Sequence, residues 1–376
     1  MRDIYLDSAA TTRPDPQCLI DYTMASIDYP YNPSSVYEGG LDARNLLEDS
    51  RRKIANHVGC LPEEIIFTSG GTEGNNMIIR GFFEGKKEGL FITTQIEHPS
   101  VLRVAEYLEN NTDITVYYLP VDSLGELYEI SLDFTLELAI KEGIKPDDIL
   151  VSIQAANNEL GVAQNMEKIY QICGNHSVWL HSDQVQLFPH YGANLNCDAY
   201  TVSGHKFGAL RGTGFVYMSK DFQKQFLPYI KGGGQEMGLR AGTENVAGCY
   251  ALANQIERLK FEDGFLNFAL KIREGLDGIE YKQNGYPHIP ILSLTFPGVE
   301  ASALVSLLGE KGIYISAGSA CHNYSPEPSH VLQAIGLSDE DAKSTIRICY
   351  NSELTDEDVD YFLEQLRFYV KLLRGV

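Results

Sequence analysis

Three short stretches set reactive side chains beside turn-forming ones. In SGHKFGALRGTG, residues 203–214, Lys206 follows Ser203-Gly204-His205 and precedes a glycine-rich run. A P-loop places its lysine after the glycines and directly before Ser or Thr, so this stretch is not one. Lys206 instead follows an apolar run, AYTVS, which puts it at a strand end, in the crevice where open α/β sheets place ligands. Partial desolvation there disfavours the ammonium and leaves an amine that condenses with an aldehyde; a strand-end lysine reaching solvent is the alternative. In TSGGTEGNN, residues 68–76, Gly70 and Gly71 separate an expected strand from an expected helix. Backbone N–H groups can approach an anion closely there, and the helix N-terminus adds partial positive charge, which makes a phosphate cradle; a plain strand-to-helix turn is the alternative. In HSDQVQ, residues 181–186, Asp183 closes the apolar run VWLHS 23 positions before Lys206. A carboxylate at a strand end in the same crevice needs a cationic partner.

Pyridoxal 5′-phosphate (PLP) suits all three. Its pyridinium nitrogen is such a partner, and the carboxylate keeps that nitrogen protonated so that the ring accepts electrons from a substrate carbanion. Five further positions join the candidate list. His98, in TQIEHPS, can stack on a ring or shuttle a proton, or it merely starts a helix with Pro99. Asn157 and Asn158, in AANNELG, can hydrogen-bond a ring oxygen or a substrate, or they form a polar turn. Arg347, in STIRICYN, sits in an apolar run and needs an anion, either a substrate carboxylate held bidentately or an internal acid. Cys321 lies in ISAGSACHNYSPEPSHVLQAIG, where small residues give a mobile loop and a helix is expected from Ser325-Pro326 to before Gly336. A thiol on such a loop is the best nucleophile candidate of the seven cysteines, with an incidental exposed thiol as the alternative.

The elements that must carry these groups follow a βα rhythm from about residue 60 to 220. EIIF precedes GTEGNNMIIRGFF, GLFITT precedes HPSVLRVAEYLEN, and ILVSIQA precedes NMEKIYQIC, which implies crossovers and a mostly parallel sheet with helices on both faces. One long helical pattern spans about 243–275, then ILSLTF and IYISA read as strands and DEDVDYFLEQLRFYVKLL as a closing helix. At 376 residues, 44% hydrophobic and 22% charged, the chain is long enough for two domains. A formal charge of −21 argues against a nucleic-acid partner. The N-terminus lacks a basic start followed by an apolar run, and no stretch approaches a membrane span, so no membrane partner is expected. Seven scattered cysteines without a CxxC pair fit reduced cytoplasmic thiols and no metal site.

With these residues in order, the chain resembles the PLP-dependent cysteine desulfurases of the class V aminotransferase family, in the NifS/IscS-like group with the longer cysteine loop. IYLDSAATT, NPSSVYEGG, FTSGGTEGNN, TQIEHPSV, NNELGV, HSDQVQ, SGHKFG, GGGQEMGLRAGTEN, SAGSACHNYSPEPSHVL and STIR all have counterparts. The resemblance implies PLP fold type I: a large α/β domain, residues 15–258, with a mostly parallel seven-stranded sheet flanked by helices. Residues 1–14 and 259–376 then form a smaller α/β domain that carries the mobile cysteine loop. It implies that Lys206 holds the cofactor covalently, Asp183 partners the pyridinium, Gln186 faces the ring hydroxyl and His98 stacks on the ring. Gly71, Thr72, Ser203 and His205 would hold the phosphate, joined by Thr243 from the second subunit of a homodimer. Asn158, also near the cofactor, and Arg347 would take the carboxylate of L-cysteine. Cys321 would accept its sulfur as a persulfide, leaving L-alanine, and pass it to a protein acceptor such as an iron–sulfur scaffold or a thiolation enzyme. The other readings are a class V aminotransferase, a selenocysteine lyase, or a PLP-binding sulfur-relay protein without turnover. The chain departs from the family at FGALRG after Lys206, at Ile348-Cys349-Tyr350-Asn351 after Arg347, and at Tyr37, Gln184 and Met237.

Overall fold

The computed structural model describes residues 3–261, 263–318 and 328–375. Cys321 and the expected helix start at Ser325-Pro326 lie outside them. The central sheet has seven strands in the order Ile65–Thr68, Gly214–Met218, Ala199–Ser203, Trp179–Asp183, Ile149–Ser152, Gly89–Thr94 and Ile114–Leu119. Gly214–Met218 runs antiparallel to both neighbours, and the other pairs are parallel. Four of its inner strands are buried along their whole length, which is why they read as continuous apolar runs and not as alternating ones.

Helices cover both faces, and the helix Gly71–Phe83 shows how closely. A Cβ on Gly74 would stand 2.5 Å from Thr201 Cγ2, so this helix lies directly on the strand that leads to Lys206. That contact brings the N-terminus of the helix to the carboxyl end of the sheet. Chain order reverses between the strands Ile149–Ser152 and Gly89–Thr94, the kind of switch point beside which open sheets bind ligands.

A second core unites Ile4 and Leu6 with Phe268, Leu292, Ile346 and Phe362. Its sheet is antiparallel, with Ile291–Thr295 between Thr345–Cys349 and Lys282–Asn284, and Ser316–Ala317 on the outer side of Thr345–Cys349. The run IYISA is split: Ile313–Tyr314 pairs with the N-terminal strand Ile4–Tyr5, and only Ser316–Ala317 joins the larger sheet. The long helical pattern at 243–275 is likewise two helices, Val246–Arg258 and Phe265–Gly275. Leu259 leaves helical geometry and Gly264 adopts φ 113°, so the chain turns between them and enters the second core. Between the cores runs the N-terminal segment. Leu6 N–H donates to Tyr314 O, whereas Thr12 N–H donates to His205 O, so residues 7–11 cross from one to the other.

One buried ion pair supports the edge of the large sheet. Arg51 Nη1 and Nη2 grip the two carboxylate oxygens of Glu236 at 2.7 and 2.9 Å, and Glu236 also accepts from Phe67 N–H at 2.8 Å. Glu236 and Met237 both have positive φ, 48° and 58°. The ion pair holds this strained turn, and with it the Gly232–Asn245 stretch, against the strand Ile65–Thr68. Among the described residues no helix is long and apolar enough to cross a membrane.

Candidate active site

The strand Trp179–Asp183 delivers a buried carboxylate to the carboxyl end of the sheet, with Asp183 only 7% exposed. Two neutral donors hold it, Asn75 Nδ2 at 2.7 Å on Oδ2 and Val185 N–H at 3.0 Å on Oδ1. A buried carboxylate held by neutral donors is a receptor for a cationic group. The neighbouring strand Ala199–Ser203 ends in a 3₁₀ turn, Gly204–Lys206, that turns the lysine back over the site. Lys206 Nζ donates to Ala9 O at 2.6 Å and Ala10 O at 2.9 Å. Gln186 Nε2 donates to the same Ala9 carbonyl at 2.9 Å. The N-terminal segment therefore passes directly over Lys206 and Gln186.

Beside the lysine is a cavity of about 400 Å³ lined by Thr11, Gly70, Gly71, Thr72, Ser203, His205 and Arg211, and by Glu73, whose carboxylate is paired with Arg240. Gly70 adopts φ 140°, and a Cβ there would stand 3.1 Å from Ser203 Oγ. The helix that begins at Gly71 presents its unpaired N–H groups to this space. An anion the size of a phosphate suits such a lining. His205, joined to Thr11 Oγ1 at 3.1 Å, is pushed down to about 4 by burial and by the nearby Lys206 and Arg211 cations, so it is neutral at physiological pH. Thr243 is exposed, before the helix Val246–Arg258, and is not among the residues lining this cavity.

His98 is both helix start and site residue. It is the N-cap of Pro99–Asn111, its Nδ1 accepting from Ser100 N–H at 3.1 Å and lying 2.8 Å from Ser100 Oγ. Asn75 Nδ2 spends one hydrogen on Asp183 and the other on Ser100 Oγ at 2.9 Å. The Ser100 hydroxyl is thereby turned toward Nδ1, which leaves the imidazole proton on Nε2. Burial lowers the pKa of His98, Lys206 and His330 lower it further, and Asp183 opposes them. Next to it, burial pushes Glu97 up to about 8, with Asp183 adding to the rise against hydrogen bonds from Thr94 and Gln154, so at neutral pH Glu97 is mostly a neutral acid.

Asn157 forms the polar turn: its Oδ1 accepts from Glu159 and Leu160 N–H, each at 2.8 Å. Asn158 is half-buried, and its backbone carbonyl accepts from Arg347 Nη1 at 2.9 Å. Arg347 is 2% exposed and pairs with Asp7 at 2.7 Å, so the internal acid is present. Its Nε has no partner among the described residues. The helix expected after the cysteine runs, within the described residues, over His330–Ala334 and is capped by Ser329. The structure thus gathers Lys206, Asp183, Gln186, His98, Gly71, Thr72, Ser203 and His205 at one sheet end, with Asn158 and Arg347 tied to each other nearby. Sequence reasoning missed Asp7, Ala9, Ala10, Asn75, Glu97 and Ser100. Asn75 and Ser100 stand within quoted motifs, but only the fold shows that they touch.

These residues fit PLP: a buried acid for a ring nitrogen, an amine held by carbonyls within reach, and a glycine-helix cradle for a phosphate. Comparison with known proteins agrees. The family model "Aminotransferase class-V" matches residues 4–362. A protein named cysteine desulfurase IscS from Methanosarcina thermophila is 36% identical over 390 residues, covering 99% of this chain and 93% of that one. The solved structure of a NifS-like protein is similar with a TM-score of 0.87 and 32% identity, covering 100% of both chains. Another, SspA in complex with cysteine, has a TM-score of 0.79 and 30% identity, covering 92% of this chain and 98% of that one.

Proposed function

Because this chain belongs to the class-V aminotransferase family and is a PLP-dependent cysteine desulfurase, we propose how its own residues divide the work. When bound, PLP supplies an aldehyde for the substrate amine and a ring that takes up electrons released at Cα. Asp183 would hold a proton on the ring nitrogen, Gln186 would face the ring hydroxyl, and Gly71, Thr72, Ser203 and His205 would hold the phosphate. Lys206 would bind the cofactor, and its amine is the base for the proton at Cα of L-cysteine. Neutral His98, with its proton on Nε2, would lie against the ring and handle the proton of the substrate thiol. Asn158 and Arg347 take the substrate carboxylate, which the burial of Arg347 and the lack of a partner for its Nε among the described residues support.

Cys321 as a thiolate attacks the substrate sulfur. The sulfur–sulfur bond forms as the carbon–sulfur bond breaks, the electron pair stays with the carbon skeleton, and Cβ takes up a proton. Cysteine plus one protein thiol gives alanine plus a protein persulfide, with no outside oxidant. A protein acceptor, an iron–sulfur scaffold or a thiolation enzyme, then receives the sulfur. The observation that carries this reading is Asp183 and Lys206 at adjacent strand ends beside a glycine-helix cradle. Purified protein loaded with PLP is expected to release alanine from L-cysteine and to carry the sulfur at position 321, read by spectrum, alanine assay and mass of the labelled peptide. Turnover that leaves residue 321 unmodified would overturn the assignment, and alanine formed by amino transfer to a keto acid would favour the aminotransferase.

Residues 15–258 form the cofactor domain in this reading, and 1–14 with 259–376 the smaller one, which the core uniting Ile4 and Leu6 with Phe268, Leu292, Ile346 and Phe362 supports. The enzyme is cytoplasmic, an inference that rests on the six cysteines among the described residues all being free thiols. It works as a homodimer in which Thr243 reaches the partner's phosphate. The helix Pro16–Asp28 supports this, because Leu19, Ile20, Met24 and Ile27 are exposed on it, with Tyr31, Val36 and Tyr37 following. Ile20→Glu with Ile27→Glu is expected to halve the mass seen by sedimentation and to weaken cofactor retention; a wild-type monomer with full activity would rule the dimer out.

A further inference from the structure

Two hydrogen bonds outside the cofactor site tie the short helix His330–Ala334 to the loops that carry the site. Ser329 caps this helix: its Oγ accepts from Val331 and Leu332 N–H at 3.2 and 3.3 Å. Both lone pairs are then taken, and the hydroxyl proton goes to Glu159 Oε2 at 2.6 Å. Ser329 and Glu159 are 3% and 8% exposed. One residue on, His330 Nε2–H donates to the backbone carbonyl of Glu97 at 2.9 Å. Glu159 directly follows Asn158, whose carbonyl holds Arg347, and Glu97 directly precedes His98. The loop under His330 is itself fixed, since Ile96 O accepts from Gln154 Nε2 at 2.6 Å and Asn157 Nδ2 at 3.0 Å. Gly318 belongs to the same arrangement. Its N–H donates to Thr345 O at 2.8 Å, and a Cβ on it would stand 2.8 Å from Leu332 Cδ1. Both described ends of the chain that flank Cys321 therefore meet at this one helix, with Ser329 eight positions after the cysteine.

We propose that Glu159 and His330 are positioning residues for sulfur transfer: through the Ser329 hydroxyl and the Glu97 carbonyl they fix Ser329 and the helix His330–Ala334 against the loops that carry Asn158 and His98. Neither residue touches substrate in this assignment. Each acts by holding a backbone in register, and misplacement by about 1 Å is enough to cost a large part of a rate that depends on two atoms meeting. The inference rests on the desulfurase reading, and the experiment keeps the two apart.

The holoenzyme is mixed with L-cysteine, and two signals are followed: the change in the visible spectrum, which reports substrate engaging the cofactor, and the first-turnover persulfide on Cys321, which reports sulfur transfer. His330→Ala and Glu159→Leu each remove one bond, whereas His330→Gln keeps a donor near Nε2 and Glu159→Gln keeps an acceptor for Ser329. Removal is expected to slow persulfide formation about 10- to 100-fold, with the spectral response within about twofold of wild type. The glutamine variants are expected to recover most of the rate. Persulfide at the wild-type rate in both removal variants would overturn the proposal. So would glutamine variants as slow as the removal variants, or a slowing matched by an equal loss of the spectral response, which would mean general damage to the site. Should Glu159→Leu fail to fold, Glu159→Ala removes the same bond and leaves the Ser329 cap in place, and its rates decide. A wild-type enzyme that makes alanine but no persulfide counts against the desulfurase chemistry and not against these two residues alone.

Discussion

Lys206→Ala is expected to lower alanine release from L-cysteine by at least about 10³-fold, because in the proposed assignment one side chain gives up both the covalent hold on the cofactor and the base at Cα. The fold should survive. Lys206 is only half-buried, and its partners are the Ala9 and Ala10 carbonyls, which Gln186 and water can satisfy in part. The measurable change near the mutation is faster amide exchange in residues 7–12, the segment that these bonds hold over the site. Borohydride treatment of wild-type protein with PLP should fix the cofactor at residue 206 in the peptide map, and the variant should show no such peptide. A variant that keeps a tenth of the wild-type rate, or a label that settles on another lysine, would remove Lys206 from the mechanism.

What the chain shows before it folds depends on how far apart the cooperating atoms are. The βα rhythm is local, so the sheet and its helices were legible, as was the placing of Asp183 and Lys206 at adjacent strand ends. The strand–glycine–helix junction at Gly70 was legible, but such a turn alone is usually just a turn, and it reads as a phosphate cradle only together with Asp183 and Lys206. The N-terminal segment was not. IYLDSAATT could be matched to a family, but nothing in its composition says that Ala9 and Ala10 offer backbone carbonyls to a lysine nearly two hundred positions away. Backbone acceptors have no sequence signature. Asp7 was missed for a related reason: its partner, Arg347, is 340 positions distant. The single helix expected over 243–275 failed at the Leu259–Gly264 turn, where the chain changes cores, a tertiary demand that overrides a locally periodic pattern.

Asp183→Asn is expected to reduce kcat/KM for cysteine about 10²- to 10³-fold, the usual cost of removing one electrostatic partner from a preorganised site. The substitution keeps size and removes charge, so in the proposed assignment the proton on the cofactor's ring nitrogen loses the group that holds it. A second effect follows from the hydrogen bonds. Both Asp183 oxygens accept, one from Asn75 Nδ2 and one from Val185 N–H, and an amide at 183 must turn its NH₂ toward one of these donors. Backbone cannot invert, whereas Asn75 can flip, since its Oδ1 has no partner among the described residues and would then accept from the new amide. The flip replaces the donor that Asn75 now points at Ser100 Oγ with an acceptor, and the Ser100 hydroxyl then turns from His98 Nδ1 to Asn75. The charge change at one strand end thus reaches the histidine through two side chains. Asn75→Ala separates the two effects: it keeps the charge at 183, with Val185 N–H as its remaining donor, and breaks the relay to Ser100, so it should lose less activity than Asp183→Asn and leave the cofactor's spectrum nearer to wild type. Equal losses in both variants, or an Asp183→Asn enzyme within tenfold of wild type, would mean that Asp183 is a structural acid and that the ring proton is held elsewhere.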